Sequence, residues 1–474
     1  MASAAAELNR AIVAFRRDLA FSFLDRNAGQ PARASRARHY LVSSRGEEVL
    51  AEAVSSGQVS PREHAAIAAH MGRAQLEAVL VDIRDEWQRF PSMSASLEGE
   101  PRALAELVRG WAVATRPSTR SGLMRAIESV LRVPVQRTFD ARARADHAAS
   151  SLLSRLAAPR HADAGPEGGS RAGAEAFLAA TDELMHEVAR HVLDKAGAGQ
   201  AQGDVLWALT VPSSEGRFPV EGRLRRHSAD WEPLGLRRML AAHGRAASTH
   251  GGLLPFGRVV PVSCPSDVRV CTAALEYGML SELAAADAIG RAVAYAHASP
   301  ALPASLRHPV AGSVARAIGA LSALRLCHPA FLRAARGVSL READELSRLF
   351  ATSVLAEARL CAASVLARDL HGDARLERAA ELAERALSRP LPPAVGAALV
   401  TRIAPGAAFR ARAHSFAIVF ALRERFDEDW FRNPRASEPL LGAAARAGEL
   451  SIEALAQELG ADLARGPLWL AELF

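Results

Sequence analysis

Lysine is almost missing from this chain: of 58 lysines and arginines, Lys195 is the single lysine. A GC-rich genome writes arginine in lysine's place, so the pI of 9.7 is no sign of nucleic acid by itself. The 52 acidic residues alternate with the arginines, and no lysine-rich tail or arginine block occurs. A solvated mixed-charge surface follows, without a nucleic-acid partner. Cysteine is equally sparse. Cys264, Cys271, Cys327 and Cys361 are too few for a disulfide framework in 474 residues. No unbroken apolar run approaches the ~18–20 residues of a membrane span. The opening MASAAAELNRAIVAFRRDLAFSFLDR is interrupted by Glu7, Arg10, Arg16, Arg17 and Asp18, unlike a signal peptide. A cytoplasmic chain with no membrane partner is the expectation. There is no GxSxG elbow, no Walker A loop and no GxGxxG after a strand. The glycine-rich pieces at 165–169 and 251–252 lack a following lysine or acidic partner, so no nucleotide site is expected. No fixed-period repeat occurs, which argues against a solenoid.

What is present favours helix. Apolar residues make up 49% and charged residues 23%, a globular balance, and Ala, Leu, Arg and Glu dominate. Residues 5–57 read as two helices broken near Gly29–Pro31. Ser60, Pro61 and Glu63 form a capping box that opens a helix through Trp87. Its apolar positions Ile67, Met71, Leu76, Val79, Leu80 and Ile83 share one face. Further helices are expected at 101–115, 119–131, 134–157 and 172–196. Others follow at 272–298, 310–326, 339–370, 375–388, 393–403 and 407–426, with Ser339 and Glu342 as a second capping box. PRHADAGPEGGSRAGA (158–173) and AGAGQAQG (196–203) read as loops. GRVVPVS (257–263) and DVRVC (267–271) read as one small β ribbon around a proline turn. The expected class is mostly all-α, with a helical region over 1–157, a connection with a helix over 158–203, and a helical region with the ribbon over 204–474.

No histidine or cysteine spacing in the chain completes a metal site. HEVARH places His186 and His191 five residues apart, roughly 140° around a helix, against the ~40° that lets two histidines grip one ion. Glu187 and His191 have the right spacing, but two ligands make no site. His243, His250, Cys264 and Cys271 are separated by gaps far longer than a CxxC pair, and read as loop histidines and buried thiols.

Four stretches carry a resemblance: VVPVSCPSDVRV, GMLSELAAADAIGRAVAYAHA, RHPVAGSVARAIGALSALRLCHPAFLRA and RARAHSFAIVFALRERFDEDWFRNPRASEPLL. Through them, residues 205–445 resemble the helical zinc metallopeptidases of the thimet oligopeptidase and oligoendopeptidase type. The resemblance implies a two-lobed, multi-helix metallopeptidase-like fold whose active helix reads HELGHALHYAH or similar. Aligning the shared YAHA ending puts the two family histidines at Asp287 and Arg291 and the catalytic glutamate at Ala288. The third ligand, a glutamate on the next helix, falls at Arg316. The family's late-helix tyrosines are also missing, since Tyr40, Tyr277 and Tyr295 are the only tyrosines; His414 lies in that region, followed by phenylalanines.

Arginine stays protonated and offers no lone pair, and alanine is no base. The resemblance therefore implies a degenerate site without zinc. Asp287, one helical turn before Arg291, is placed to pair with it, while Arg291 and Arg316 meet where the ion would sit. That arrangement reads either as a structural salt bridge or as a cationic pocket for a partner's carboxylate or phosphate. Three functions follow. One is a non-catalytic protein that binds a peptide or protein partner in an inter-lobe groove. Another is an active hydrolase using other ligands, such as His186, Glu187, His191 or His297. The last is a helical scaffold without a ligand. Small residues, Ala284, Ala285, Ala288, Gly290 and Ala292, mark 272–298 as a buried central helix.

Overall fold

The computed structural model describes residues 3–27, 35–89, 93–156, 171–197, 202–210, 218–219, 222–232, 257–272, 279–310, 312–370, 372, 374–401, 405–472 and 474. Four helices lead: α1 (Ala4–Asn27), α2 (Arg36–Leu41), α3 (Ser44–Ser55) and α4 (Pro61–Arg89). A hairpin of β1 (Ser94–Leu97) and β2 (Glu100–Ala103) precedes α5 (Leu104–Val113), α6 (Pro117–Arg155), α7 (Arg171–Lys195), α8 (Asp204–Thr210) and α9 (Arg223–Ala229). A second hairpin, β3 (Gly257–Ser263) and β4 (Asp267–Thr272), precedes α10 (Met279–Ala296). Then come α11 (Ala304–Arg307), α12 (Ser313–Leu324), α13 (Pro329–Arg336), α14 (Leu340–Ala367) and α15 (Arg375–Leu387). The chain closes with α16 (Pro393–Val400), α17 (Pro405–Phe426), α18 (Pro434–Arg446), α19 (Ile452–Glu458) and α20 (Gly466–Glu472). The mostly-α architecture and the 257–271 ribbon are as the sequence predicts.

Local chemistry explains the boundaries. Ser60 accepts from the Glu63 amide at 3.2 Å while the Glu63 carboxylate accepts from the Ser60 amide at 3.3 Å, and the Ser339–Glu342 box is complete at α14. Each satisfies amides that a helix start leaves without partners. Glu128 of α6 does the same for α16, accepting from the amides of Ala394 and Val395.

Three expectations are corrected. Residues 5–57, expected as two helices, form three, because Ser43 ends α2 and caps α3. The helices at 119–131 and 134–157 are one, α6, with Pro134 inside it. Proline removes one backbone bond there, but Val130, Leu131 and Val135 are buried on both sides of it and hold the helix continuous. Residues 101–103, expected at the start of a helix, belong with Glu100 to a strand that pairs with 94–97 in an antiparallel hairpin. Its turn places Glu98 and Gly99 at φ 54° and 86°. The loop expected at 158–173 lies almost wholly outside the described residues.

The main core draws on residues from Leu104 to Leu470, and a smaller cluster joins α1, α2, α3 and α4 to Leu152 of α6. Within the main core, α14 is long and apolar enough to cross a membrane, yet 89% of its apolar window is buried inside the fold. Its buried Arg359 donates to the carbonyls of Ala386 and Leu178 and to Asp182.

Helix α10 runs through the centre, crossing α12 at glycines. A Cβ on Gly290 would stand 2.6 Å from the Ile318 carbonyl oxygen and 2.8 Å from the Gly319 Cα. Backbone cannot swing aside as a side chain can. Gly290→Ala is therefore expected to lower stability by about 1–3 kcal/mol, read from urea unfolding.

Three buried histidines set an acid limit. Burial pushes His70 well below 6.5, with the Arg16 charge adding to it. Burial likewise brings His308 to about 3, Arg16 again contributing, and His328 to about 4, with Arg423 contributing. The unfolded chain takes up these protons near pH 6.5 and the folded chain refuses them. Their stabilisation is present above pH 6.5 and is lost as pH falls toward the folded values. The urea midpoint is expected to fall from pH 6.5 to about 5.5, above the range where most carboxylates protonate, and His328→Phe is expected to flatten part of that fall. A flat wild-type profile would contradict this assignment.

Candidate functional site

Asp287 and Arg291 lie one turn apart on α10, and the Arg291 Nη2 is 2.5 Å from the Asp287 Oδ2. The same guanidinium nitrogen donates to the Gly257 carbonyl at 2.6 Å, tying α10 to the start of β3. Gly257 has to be glycine because a Cβ would fall 2.1 Å from the Ala284 carbonyl oxygen and 2.7 Å from the Ala288 Cβ. Ala288 is thus a contact surface for the ribbon. The other carboxylate oxygen, Oδ1, faces Arg412 of α17 at 3.3 Å, and Arg412 also reaches Glu357 of α14 at 2.8 Å. Asp287 is therefore engaged on both oxygens by two guanidiniums.

Arg316 of α12 lies within the field of this cluster. Burial lowers its pKa first and the Arg291 charge second, while Tyr295 and Asp287 act in the opposite direction. Burial also pulls on Arg412, but Glu357 and then Asp287 outweigh it, and Arg412 is held above its ordinary value. Gly319 supplies the room: a Cβ there would stand 2.7 Å from the Arg291 Cγ and 2.8 Å from the Asp287 Oδ1.

His414 is elsewhere. Two residues beyond Arg412, about 200° further around the helix, it lies 3.4 Å from Glu453, which also pairs with Arg410 at 3.1 Å. Burial alone would raise Glu453, but the His414 hydrogen bond and the Arg410 charge contribute to holding it at about 2. His186, Glu187 and His191 sit on the exposed face of α7, and the His297 Nδ1 meets the Val293 carbonyl at 2.9 Å. His243 and His250 fall outside the described residues. Cys264 and Cys271 are buried free thiols, and burial raises both, Cys264 to about 12.

Sequence reasoning missed Arg412 and Glu357, and a second buried network at the start of α10. Glu282 there accepts from Arg223 of α9 and faces the His227 Nε2 at 2.9 Å. The His227 Nδ1 lies 3.3 Å from Asp230, which takes two bonds from Arg336 of α13 at 2.7 and 2.6 Å. Burial would raise Asp230; the Arg336 and His227 hydrogen bonds hold it far below the usual carboxylate range. The available signal was an acid set in an otherwise apolar stretch: Glu282, beside Asp287, in MLSELAAADAIG and Glu357 in VLAEARLCAASVLA.

These residues do not fit a metal ion. A bound cation would face Arg291 and Arg412, and neither oxygen of Asp287 is clear of a guanidinium. Among the described residues, no group of three or more His, Cys, Asp or Glu side chains is placed to hold one.

Neither a family model nor a curated protein sequence matches the chain. Its structure is similar to a Pyrococcus furiosus carboxypeptidase (TM-score 0.57, 12% identity, 99% of this chain and 97% of that one). It is similar also to metallocarboxypeptidase 1 of Trypanosoma cruzi (TM-score 0.57, 12% identity, 99% and 98% covered). A Bacillus anthracis chain named for oligoendopeptidase F matches at TM-score 0.57 and 10% identity over 96% and 84%. The fold is metallopeptidase-like.

Asp287→Asn removes the charge that two guanidiniums share. Breaking a mostly buried pair in this way is expected to cost about 3–5 kcal/mol. A double-mutant cycle of Asp287→Asn with Arg412→Met, followed by urea unfolding, should give a coupling of about 0.5–3 kcal/mol.

Proposed function

We propose that this chain is a non-catalytic protein on a metallopeptidase-like fold, one that holds a peptide or protein segment without cleaving it. The observation that carries the reading is the engagement of Asp287 by Arg291 and Arg412. Zinc hydrolysis needs ligands with free lone pairs and a carboxylate to take the proton of the bound water. The family overlay puts Asp287, Ala288, Arg291 and Arg316 at those places. Arginine cannot ligate, alanine cannot take a proton, and the one carboxylate is already spent. Guanidinium charge stands in for ionic charge, so the helices around the site stay electrostatically matched with no zinc.

The peptide ligand is argued from the fold. Its structural neighbours are named as carboxypeptidases and an oligoendopeptidase, whose shared ligand is a peptide chain. A body that keeps that fold without the reaction retains a means of holding one. The same reading assigns the chain neither a nucleic-acid nor a membrane partner.

The test is metal analysis of protein purified without chelators, with a quenched-fluorescent peptide library. Substoichiometric zinc, no hydrolysis, and saturable binding of some library members are expected. Ala288→Glu alone is expected to create no activity. Stoichiometric zinc with chelator-sensitive hydrolysis would overturn the reading.

A further inference from the structure

An open groove of about 480 Å³ runs between α1 and α11. Three guanidiniums line it, Arg10 and Arg17 from α1 and Arg307 from α11, with Val13, Ala14 and Ala304 as apolar wall. Among the described residues, no acidic and no aromatic side chain lines it, and none of its lining belongs to the Asp287 cluster.

The positive charge along this groove is uncompensated within the fold. The acids of α1 nearest these arginines are engaged elsewhere. Glu7 accepts from the Tyr40 hydroxyl at 2.6 Å and Asp18 from the Ser35 hydroxyl at 2.9 Å. On the α11 side, no acidic residue occurs in the sequence between Asp287 and Glu342. Arg10 and Arg17 are exposed, and their side chains have no hydrogen bond or ion pair among the described residues. Arg307 donates once, from Nη1 to the Pro300 carbonyl at 3.0 Å, and its Nε is buried without a partner. Exposed arginines elsewhere, such as Arg155, Arg446 and Arg465, meet carboxylates at 2.8, 2.5 and 3.0 Å. The charge is also felt behind the groove, where His308 is held neutral by burial first and then by Arg16 and Arg307.

Arg10 and Arg17 stand two turns apart, about 10 Å along the helix, a length that about three residues of extended chain cover. A single phosphate is too small to reach both. Nucleic-acid bases would find no aromatic ring to stack on. Guanidiniums match carboxylates in shape and charge, and the wall between them takes small aliphatic side chains. The geometry points to an acidic peptide segment of a partner protein, its carboxylates on Arg10, Arg17 and Arg307 and its aliphatic side chains against Val13 and Ala14. The groove is separate from the Asp287 cluster, so this assignment does not rest on the function proposed above.

The full chain is titrated by fluorescence anisotropy with a short labelled peptide rich in Glu and carrying central Val. The same peptide with Gln for Glu, the same with Ser for Val, and a single-stranded oligothymidylate are compared with it. Saturable binding of the Glu/Val peptide that weakens as salt is raised, and none of the Gln peptide, is expected. Arg10→Glu with Arg17→Glu is expected to weaken it about tenfold. Arg109→Glu with Arg116→Glu makes the same charge change on exposed arginines outside the groove and is expected to leave affinity unchanged. Should the first pair fail to fold, Arg17→Gln, which breaks no contact in the fold, decides by a weakening of about threefold. The proposal is overturned if the Glu/Val peptide does not bind, if the Gln peptide binds as well, or if both double variants weaken it alike. Tighter binding of oligothymidylate, or displacement of the peptide by inorganic phosphate at comparable concentration, would overturn the peptide assignment. Equal affinity of the Ser peptide would overturn the apolar part. Binding of uncharged library peptides is read separately, so either proposal can fail alone.

Discussion

The Asp287 carboxylate, shared by Arg291 and Arg412, is the interaction on which the centre of this structure depends. Through Arg291 it fixes α10 to the Gly257 carbonyl of β3, and through Arg412 it fixes α10 to α17 and, by way of Glu357, to α14. A partly buried ion pair loses hydration, and attraction offsets that loss only with good geometry and several partners. Here both oxygens are used and the partner cations are themselves paired. Gly319 is the condition for it, since a methyl there would strike both members of the pair. The small-residue crossing of α10 and α12 and the ion pair are thus one design: close backbones make the space in which the charges meet.

How much was legible follows from how local each signal is. Asp287 and Arg291 are i, i+4 neighbours on one helix, so their pairing can be read from spacing alone. The capping boxes at Ser60 and Ser339 are equally local. Arg412 and Glu357 come from two other helices, and no periodicity in the chain states that they converge on Asp287. His414 shows the converse. Its place in the family-like stretch suggested a site residue, but helical rotation sends it to Glu453 while Arg412 takes the inward face. Pro134 misled because a breaker rule describes an isolated helix. Buried neighbours on both sides outweigh one missing backbone bond. The 94–103 hairpin was hidden because SASL and EPRA are short and hold no β-branched residue.

The two charge networks on α10 bear on what a helix of this composition needs. Its buried positions include Ala285, Ala286, Ala288, Gly290, Ala292 and Ala294, and methyl-sized groups make a smooth surface. Shape fit holds such a helix sharply only at the Gly290 crossing and at its few larger buried side chains, Leu283, Ile289 and Val293, and along the alanines between them it constrains little. Glu282 near its start and the Asp287–Arg291 pair at its middle each demand partners at fixed positions on other elements. A slide of one residue would strand both carboxylates among apolar side chains, at a cost that an alanine face never imposes. We therefore read these ion pairs as setting register. The same argument explains why charged residues stand in the middle of so apolar a helix: it needs a directional contact there, and Arg291 and Arg412 around Asp287 supply it.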